Sequence, residues 1–258
     1  MKPLSILDAN PETIARYGVC GYKNSKTPGF NEKVSWLSER YKEGLRIKLL
    51  ISEEQGCQGM IEYVPGEYCW RPVKANGYMF IHCLFVGFKK EFKGKGYATL
   101  LIDECEKEAK QLKKYGVAVV TRKGPFMVDS KIFLKKGYEP VEKAVPDFEL
   151  LVKRFTKDAP RPCFINNKPV LSGKYAKGLT LIRADQCPYT IKNISEIRET
   201  AEKQFGLTPQ VITWKSHAEA QSSPVIFGTF GILYNGKVIA EHPISRTRFI
   251  NIMNALVN

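Results

Sequence analysis

The chain has 258 residues, a formal net charge of +14 and 43% hydrophobic residues. That length predicts two folded units, and no apolar stretch approaches the ~18 residues that would cross a bilayer. The N-terminus reads as a strand running into a capped helix, not as a signal peptide. An odd count of seven cysteines without close pairing excludes a disulfide framework and predicts a reducing, cytoplasmic setting.

In chain order, residues 4–9 read as a strand and 11–17 as a helix opened by Pro11-Glu12. Residues 31–44 carry Val34, Leu37 and Tyr41 at helical spacing and end on glycine. Residues 45–52 and 58–64 form a predicted hairpin turning over 53–57. The loop 65–76 is long and rich in proline and aromatics. Its Glu67, Tyr68, Trp70 and Arg71 either line an acceptor pocket or pack among themselves. An apolar strand follows over 78–86, then Phe92-Lys-Gly-Lys-Gly-Tyr-Ala-Thr-Leu-Leu101 and a helix over 98–110.

The glycine segment carries the most chemistry. Gly94 and Gly96 let the backbone turn tightly and approach a ligand. The helix after them offers unpaired amides and the positive end of its dipole, which together suit a phosphate. Lys89, Lys90, Lys93 and Lys95 add charge. A dinucleotide fingerprint needs a third glycine near Thr99 and an acidic residue after the next strand, and both are missing. A Walker loop needs Gly-Lys-Ser/Thr, whereas Gly96 precedes Tyr97.

Lys93-Gly-Lys-Gly-Tyr-Ala98 resembles the Gln/Arg-x-x-Gly-x-Gly/Ala signature of the GNAT acetyltransferases, with Lys at the first position. Ile132-Phe-Leu-Lys-Lys-Gly-Tyr138 is similar to the late helix of that family, and the likeness spans roughly residues 4–155. The resemblance implies an α/β fold with a mixed sheet flanked by helices, and acetyl-CoA as co-substrate. It places the cofactor against Leu84, Phe85, Val86, Lys93, Gly94, Lys95, Gly96, Tyr97, Ala98 and Thr99, with no metal. Acetyl transfer to an amine needs a route for the amine proton, a donor for the tetrahedral oxyanion and a proton for the departing thiolate. His82 and Glu62 are the candidate bases, and ordered water is the alternative. The family's late-helix Tyr, which often protonates the thiolate, aligns with Phe133, so Ser130 or Tyr138 are the substitutes. Cys83 and Cys105 read as buried small hydrophobes.

Residues 157–164 form a proline-containing linker, so that the acetyltransferase unit spans 1–156 and a second unit 165–258. The second unit reads as a strand (179–183), the turn 185–190, a helix (191–205), a strand (210–215), two strands around Asn235-Gly236 and a helix (246–256). With Cys187-Pro-Tyr-Thr190 at its turn it resembles a thioredoxin or glutaredoxin arrangement whose second cysteine is Thr190. The layout looks like that of acetyltransferases carrying a YoaP-like C-terminal domain. A thiol at a helix N-terminus is expected to have a depressed pKa, leaving Cys187 capable of one-thiol chemistry. Pro224 is the candidate for the cis-proline of that arrangement.

The basic excess is shared by both parts, and the lysines near the glycine loop match the three phosphates of coenzyme A. A pI near 9.4 raises nucleic acid as a partner, but no helix-turn-helix, zinc-knuckle or base-stacking signature accompanies it, so nucleic acid is not expected. The primary reading is an N-acetyltransferase that acts on a small-molecule or peptide amine through a ternary complex. Two others stay open: a one-thiol redox or thiol-transfer protein, and a non-catalytic module binding CoA or nucleic acid.

Overall fold

The computed structural model describes residues 4–22, 24–87, 89–165 and 173–257. The first residues of the chain and 166–172, where the second unit was expected to start, lie outside the described residues. Strand β1 (Ser5–Ala9) leads into α1 (Pro11–Tyr17), whose N-cap Asn10 accepts from the Thr13 amide. Helix α2 (Phe30–Tyr41) ends sooner than its periodicity predicted, and β2 (Arg46–Ser52) and β3 (Gly56–Pro65) make the expected hairpin. After the short β4 (Val73–Lys74) come β5 (Met79–Val86), α3 (Tyr97–Gln111), β6 (Gly116–Arg122), the single-turn α4 (Lys131–Lys135), β7 (Glu139–Ala144) and β8 (Phe148–Arg154). These strands form a seven-stranded sheet ordered β1-β2-β3-β5-β6-β8-β7, in which only β5 and β6 run parallel.

Helix α3 covers one face of this sheet. Its Leu101, Ile102, Cys105 and Ala109 recur at helical spacing and pack on Ile61, Met79, Ile81 and Val119. Burying such a stripe contributes on the order of 1.5–3 kcal/mol for each large side chain. The expected inert burial of Cys105 is what the structure shows.

The chain then adds β9 (Cys163–Phe164), paired antiparallel with β4, so part of the expected linker is strand. A second, four-stranded sheet follows, built from β10 (Leu179–Ala184), β11 (Gln210–Trp214), β12 (Phe230–Tyr234) and β13 (Lys237–Ala240), with α5 (Tyr189–Phe205), α6 (His217–Gln221) and α7 (Arg246–Val257). Its order is β11-β10-β12-β13, with β10 and β11 parallel and the rest antiparallel. Asn235 and Gly236 both take positive φ, the backbone a two-residue hairpin turn requires. The peptide before Pro224 is trans, contrary to expectation, and the cis bond among the described residues is Val145–Pro146.

The two sheets are not beads on a linker. One apolar core runs from Ile14, Trp36 and Phe80 of the first unit to Phe227, Phe230 and Phe249 of the second. The loop 66–77 is the joint. Cys69, Trp70, Arg71 and Val73 are buried, and the Gln221 amide donates to the carbonyls of Glu67 (3.0 Å) and Cys69 (3.2 Å). The Arg71 guanidinium donates to the Phe227 carbonyl and stacks on its ring at 4.9 Å. The loop packs in large part against the second unit, which the reading of a loop packed among its own residues did not foresee.

Candidate active site

Strands β5 and β6 pair only at Met79↔Val117, Phe80↔Ala118 and Ile81↔Val119, then part. The parting begins where β5 bulges. Glu62 on β3 faces Cys83 and Tyr63 faces Ile81, which leaves His82 as the extra, unpaired residue. The register with β6 ends at Ile81↔Val119, before Leu84, Phe85 and Val86. The divergence opens a cavity of about 470 Å³ between the strands, reaching from Leu84 and Phe85 to Val119 and Val120.

The glycine segment lies just past the end of β5. Gly94 and Gly96 take φ of +70° and +80°, and a Cβ on either would meet no protein atom within 4 Å. Packing therefore does not demand glycine at these two positions. The left-handed backbone does, and it leaves open space in front of the loop amides. Gly96 is the N-cap of α3 and provides no side-chain cap, and the first turn carries no acidic residue. Lys93 and Lys95 are exposed beside it, and Tyr97, Ala98 and Thr99 form the first turn. An uncapped helix start flanked by lysines and an open glycine backbone fits a pyrophosphate.

His82 and Glu62 do come together, but both are committed. The Trp70 amide donates to His82 Nε2 at 2.9 Å, which places the ring proton on Nδ1, 3.3 Å from Glu62 Oε1. Burial lowers the His82 pKa against the pull of Glu62, so the ring is neutral with its lone pair occupied. Glu62 is fully buried, ion-paired with Lys33, and accepts from Gln186 Nε2 at 2.8 Å. Burial alone would raise this carboxyl, but the Lys33 ammonium and His82 override it and hold it at about 2. A carboxylate so satisfied has little affinity for a substrate proton. The geometry gives this pair a structural role in place of the expected role as base.

The expected acids also lie elsewhere. Tyr138 is buried on the α3 side of the sheet, edge-on to Phe133 at 5.1 Å, with its hydroxyl beside Glu106. Burial pushes its pKa well above the ordinary tyrosine value, away from what a proton donor needs. Ser130 precedes α4 and lines a separate open depression with Lys123, Lys131 and Lys143. Phe133, in contrast, does line the cavity between β5 and β6.

Cys187 faces the same cavity, together with Cys20, Cys83 and Tyr189. The depressed pKa expected of its thiol is not found. Burial pushes it up, and the Tyr189 amide offsets this only in part. Burial likewise pushes Cys83 to about 12. Thr190, where the expected thioredoxin-like arrangement would have its second cysteine, is buried and donates to the carbonyls of Ala184 and Cys187.

Sequence reasoning missed Lys33, Gln186, Tyr189, Phe126 and Met127. Lys33 had a signal, since it lies on the buried stripe of α2 with Phe30, Trp36 and Leu37. A lysine there needs a buried counter-charge. Among the described residues no group of His, Cys, Asp and Glu is placed to hold a metal ion, and no helix is long and apolar enough to cross a membrane.

The model of the acetyltransferase (GNAT) family matches residues 19–124, and a YoaP-like model matches 210–251. The uncharacterized N-acetyltransferase YoaP of Bacillus subtilis is 31% identical over 228 residues, covering 88% of each chain. Among solved structures, GNAT family N-acetyltransferase YhbS of Escherichia coli in complex with CoA superposes with a TM-score of 0.40 at 12% identity, covering 60% of this chain and 83% of that one. The PaiA N-acetyltransferase of Thermoplasma acidophilum in complex with coenzyme A gives 0.38 at 16% identity, over 59% and 99%. The chain belongs to the GNAT N-acetyltransferases, of the type that carries a YoaP-like C-terminal segment.

Proposed function

We propose that this protein moves the acetyl group of acetyl-CoA to an amine within a ternary complex, the amine entering a pocket that the second unit closes. The observation that carries this reading is the meeting of three features. An open glycine loop starts an uncapped helix, β5 and β6 diverge beside it, and a cavity lies in the divergence.

The loop amides from Gly94 to Ala98 hold the pyrophosphate, and Lys93 and Lys95 add charge at its rim. When bound, acetyl-CoA supplies an activated thioester carbonyl. The edge of β5 past the bulge, from Leu84 to Val86, offers backbone groups that β6 does not use, and these orient the acyl arm and donate to the carbonyl oxygen. His82 and Glu62 fix the bulge that aims this edge. The amine proton leaves through water, because neither His82 nor Glu62 has a free lone pair of suitable basicity. We place the units at 1–156 and 165–258 and read the second as a thioredoxin-like fold serving as a wall. The buried Thr190 and the raised Cys187 pKa support this role over a one-thiol redox reading.

Calorimetry with acetyl-CoA, CoA and inorganic tripolyphosphate tests the first step, and release of free CoA with an amine panel tests the second. Acetyl-CoA is expected to bind at least tenfold more tightly than tripolyphosphate, on the order of 1.4 kcal/mol. Equal binding of the two would refute the reading.

A further inference from the structure

The cavity beyond the acyl arm has an unusual lining. Cys20, Met60, Cys83, Met127 and Cys187 give it five sulfur side chains. Phe126, Phe133 and Tyr189 give it aromatic faces. No aspartate, glutamate, lysine or arginine is among its lining residues. Behind the wall, two buried cations stand against one buried anion. Lys33 pairs with Glu62, and the Arg71 guanidinium lies 3.5 Å from the His82 carbonyl without a carboxylate partner of its own among the described contacts. An alkylammonium entering here would lose its hydration, find no carboxylate, and meet a local excess of positive charge.

The second unit supplies the mouth. Tyr189 opens α5 and donates to the Cys20 carbonyl at 2.6 Å. Its ring meets Tyr22 at 4.8 Å and Phe126 at 6.2 Å. Phe126 holds a positive φ of 65° and stacks on His242 at 6.1 Å. A residue of the first unit in a costly backbone conformation is thus clamped between two rings of the second. Sulfur and aromatic side chains together favour a flat, polarisable ligand.

We propose that the acceptor is an uncharged, weakly basic arylamine, and that Tyr189 and Phe126 determine this specificity. The inference rests on the acetyltransferase reading and narrows its substrate class. A neutral amine already carries its nucleophilic lone pair, so a pocket without a free base suffices. Its nitrogen forms a bond to the acetyl carbon, the carbon–sulfur bond to CoA breaks, and the ammonium proton is lost to water as the CoA thiolate takes one up.

The test compares aniline, benzylamine and spermidine by free-CoA release at pH 7, with acetyl-CoA binding measured by calorimetry on the same samples. Aniline is expected to show the highest kcat/KM and spermidine the lowest. Tyr189→Ala should cut the aniline-to-spermidine ratio of kcat/KM about fivefold through the lost ring contact. Met127→Glu, which puts a carboxylate in the lining, should raise the benzylamine-to-aniline ratio about tenfold. Both variants are read as ratios between substrates, which do not depend on the folded fraction. A protein that binds acetyl-CoA but prefers spermidine, or ratios unmoved in both variants, would overturn the specificity and leave the transferase reading standing. Failure to bind acetyl-CoA would overturn both.

Discussion

Replacing Gly29 with alanine tests whether the second unit shapes the acceptor pocket. Gly29 is the N-cap of α2 with φ +94°, and its amide donates to Glu32 at 3.1 Å. A Cβ there would sit 2.1 Å from the carbonyl oxygen of Pro188 and 2.9 Å from its carbonyl carbon. Both are backbone atoms, so no rotamer can relieve the clash. Moving the oxygen to the 3.0 Å floor of real contacts requires a shift of about 1 Å. The left-handed backbone costs alanine about 1–2 kcal/mol, and overpacking adds about 1–3 kcal/mol. For a chain of this size the sum lowers Tm by on the order of 10 °C. Pro188 joins Cys187 to Tyr189, two residues of the cavity wall, so its displacement moves that wall directly. The atoms that the clash meets all belong to Pro188 and none to the glycine loop. Scanning calorimetry, acetyl-CoA titration and acceptor kinetics should therefore show a lower Tm, unchanged acetyl-CoA affinity and an acceptor KM raised about tenfold or more. A variant with the lowered Tm but native acceptor kinetics would refute the claim that the second unit forms the wall.

Gly96→Val should lower Tm by several degrees, because the left-handed backbone disfavours a β-branched residue, while raising the acetyl-CoA KM at least about tenfold, since the side chain enters the space proposed for the phosphate. An unchanged KM would mean that the loop holds no phosphate. Glu62→Gln strands Lys33 without a counter-charge and should cost about 3–5 kcal/mol, much of which Glu62→Gln/Lys33→Met recovers; denaturant titration decides. The Glu62 carboxyl lies below its ordinary 4.5 in the folded state, so its stabilisation is complete above that pH and is lost as pH falls through about 2. His82, lowered from 6.5, adds stability above that pH that is lost on acidification below it, as the unfolded chain takes up its proton. Both effects predict falling stability in acid, and a pH series of denaturant midpoints with a maximum below 4.5 would contradict them. Cys187 should react with iodoacetamide at neutral pH more slowly than a free cysteine, because burial keeps its thiol protonated.

The parts of the site that were legible in the sequence are those specified locally. The glycine loop, the strand before it and the amphipathic α3 are set by adjacent residues, and their boundaries agree to within a residue or two. Asn235-Gly236 declared its hairpin for the same reason. What stayed hidden depends on residues far apart in the chain. That His82 spends its lone pair on the Trp70 amide, and that Gln186 reaches Glu62, follow only from the docking of the loop 66–77 and the second unit. Helix-terminus reasoning failed for Cys187 because it weighed the dipole without the burial that the other unit imposes. Phe133 has no proton to donate, and Tyr138, although edge-on to it in the same cluster under α3, is not among the residues that line the cavity and is buried with a raised pKa.

The shared core has a consequence for the chain as a mechanical whole. Ile14, Trp36 and Phe80 are packed in the same cluster as Phe230 and Phe249, with Trp70 and Arg71 set between the sheets. Cutting near residue 156 would leave the first unit with an open greasy flank and a buried arginine lacking its acceptor. The two units are therefore expected to melt in one transition, and a fragment ending near residue 156 is expected to lose packing on which its own loop 66–77 depends.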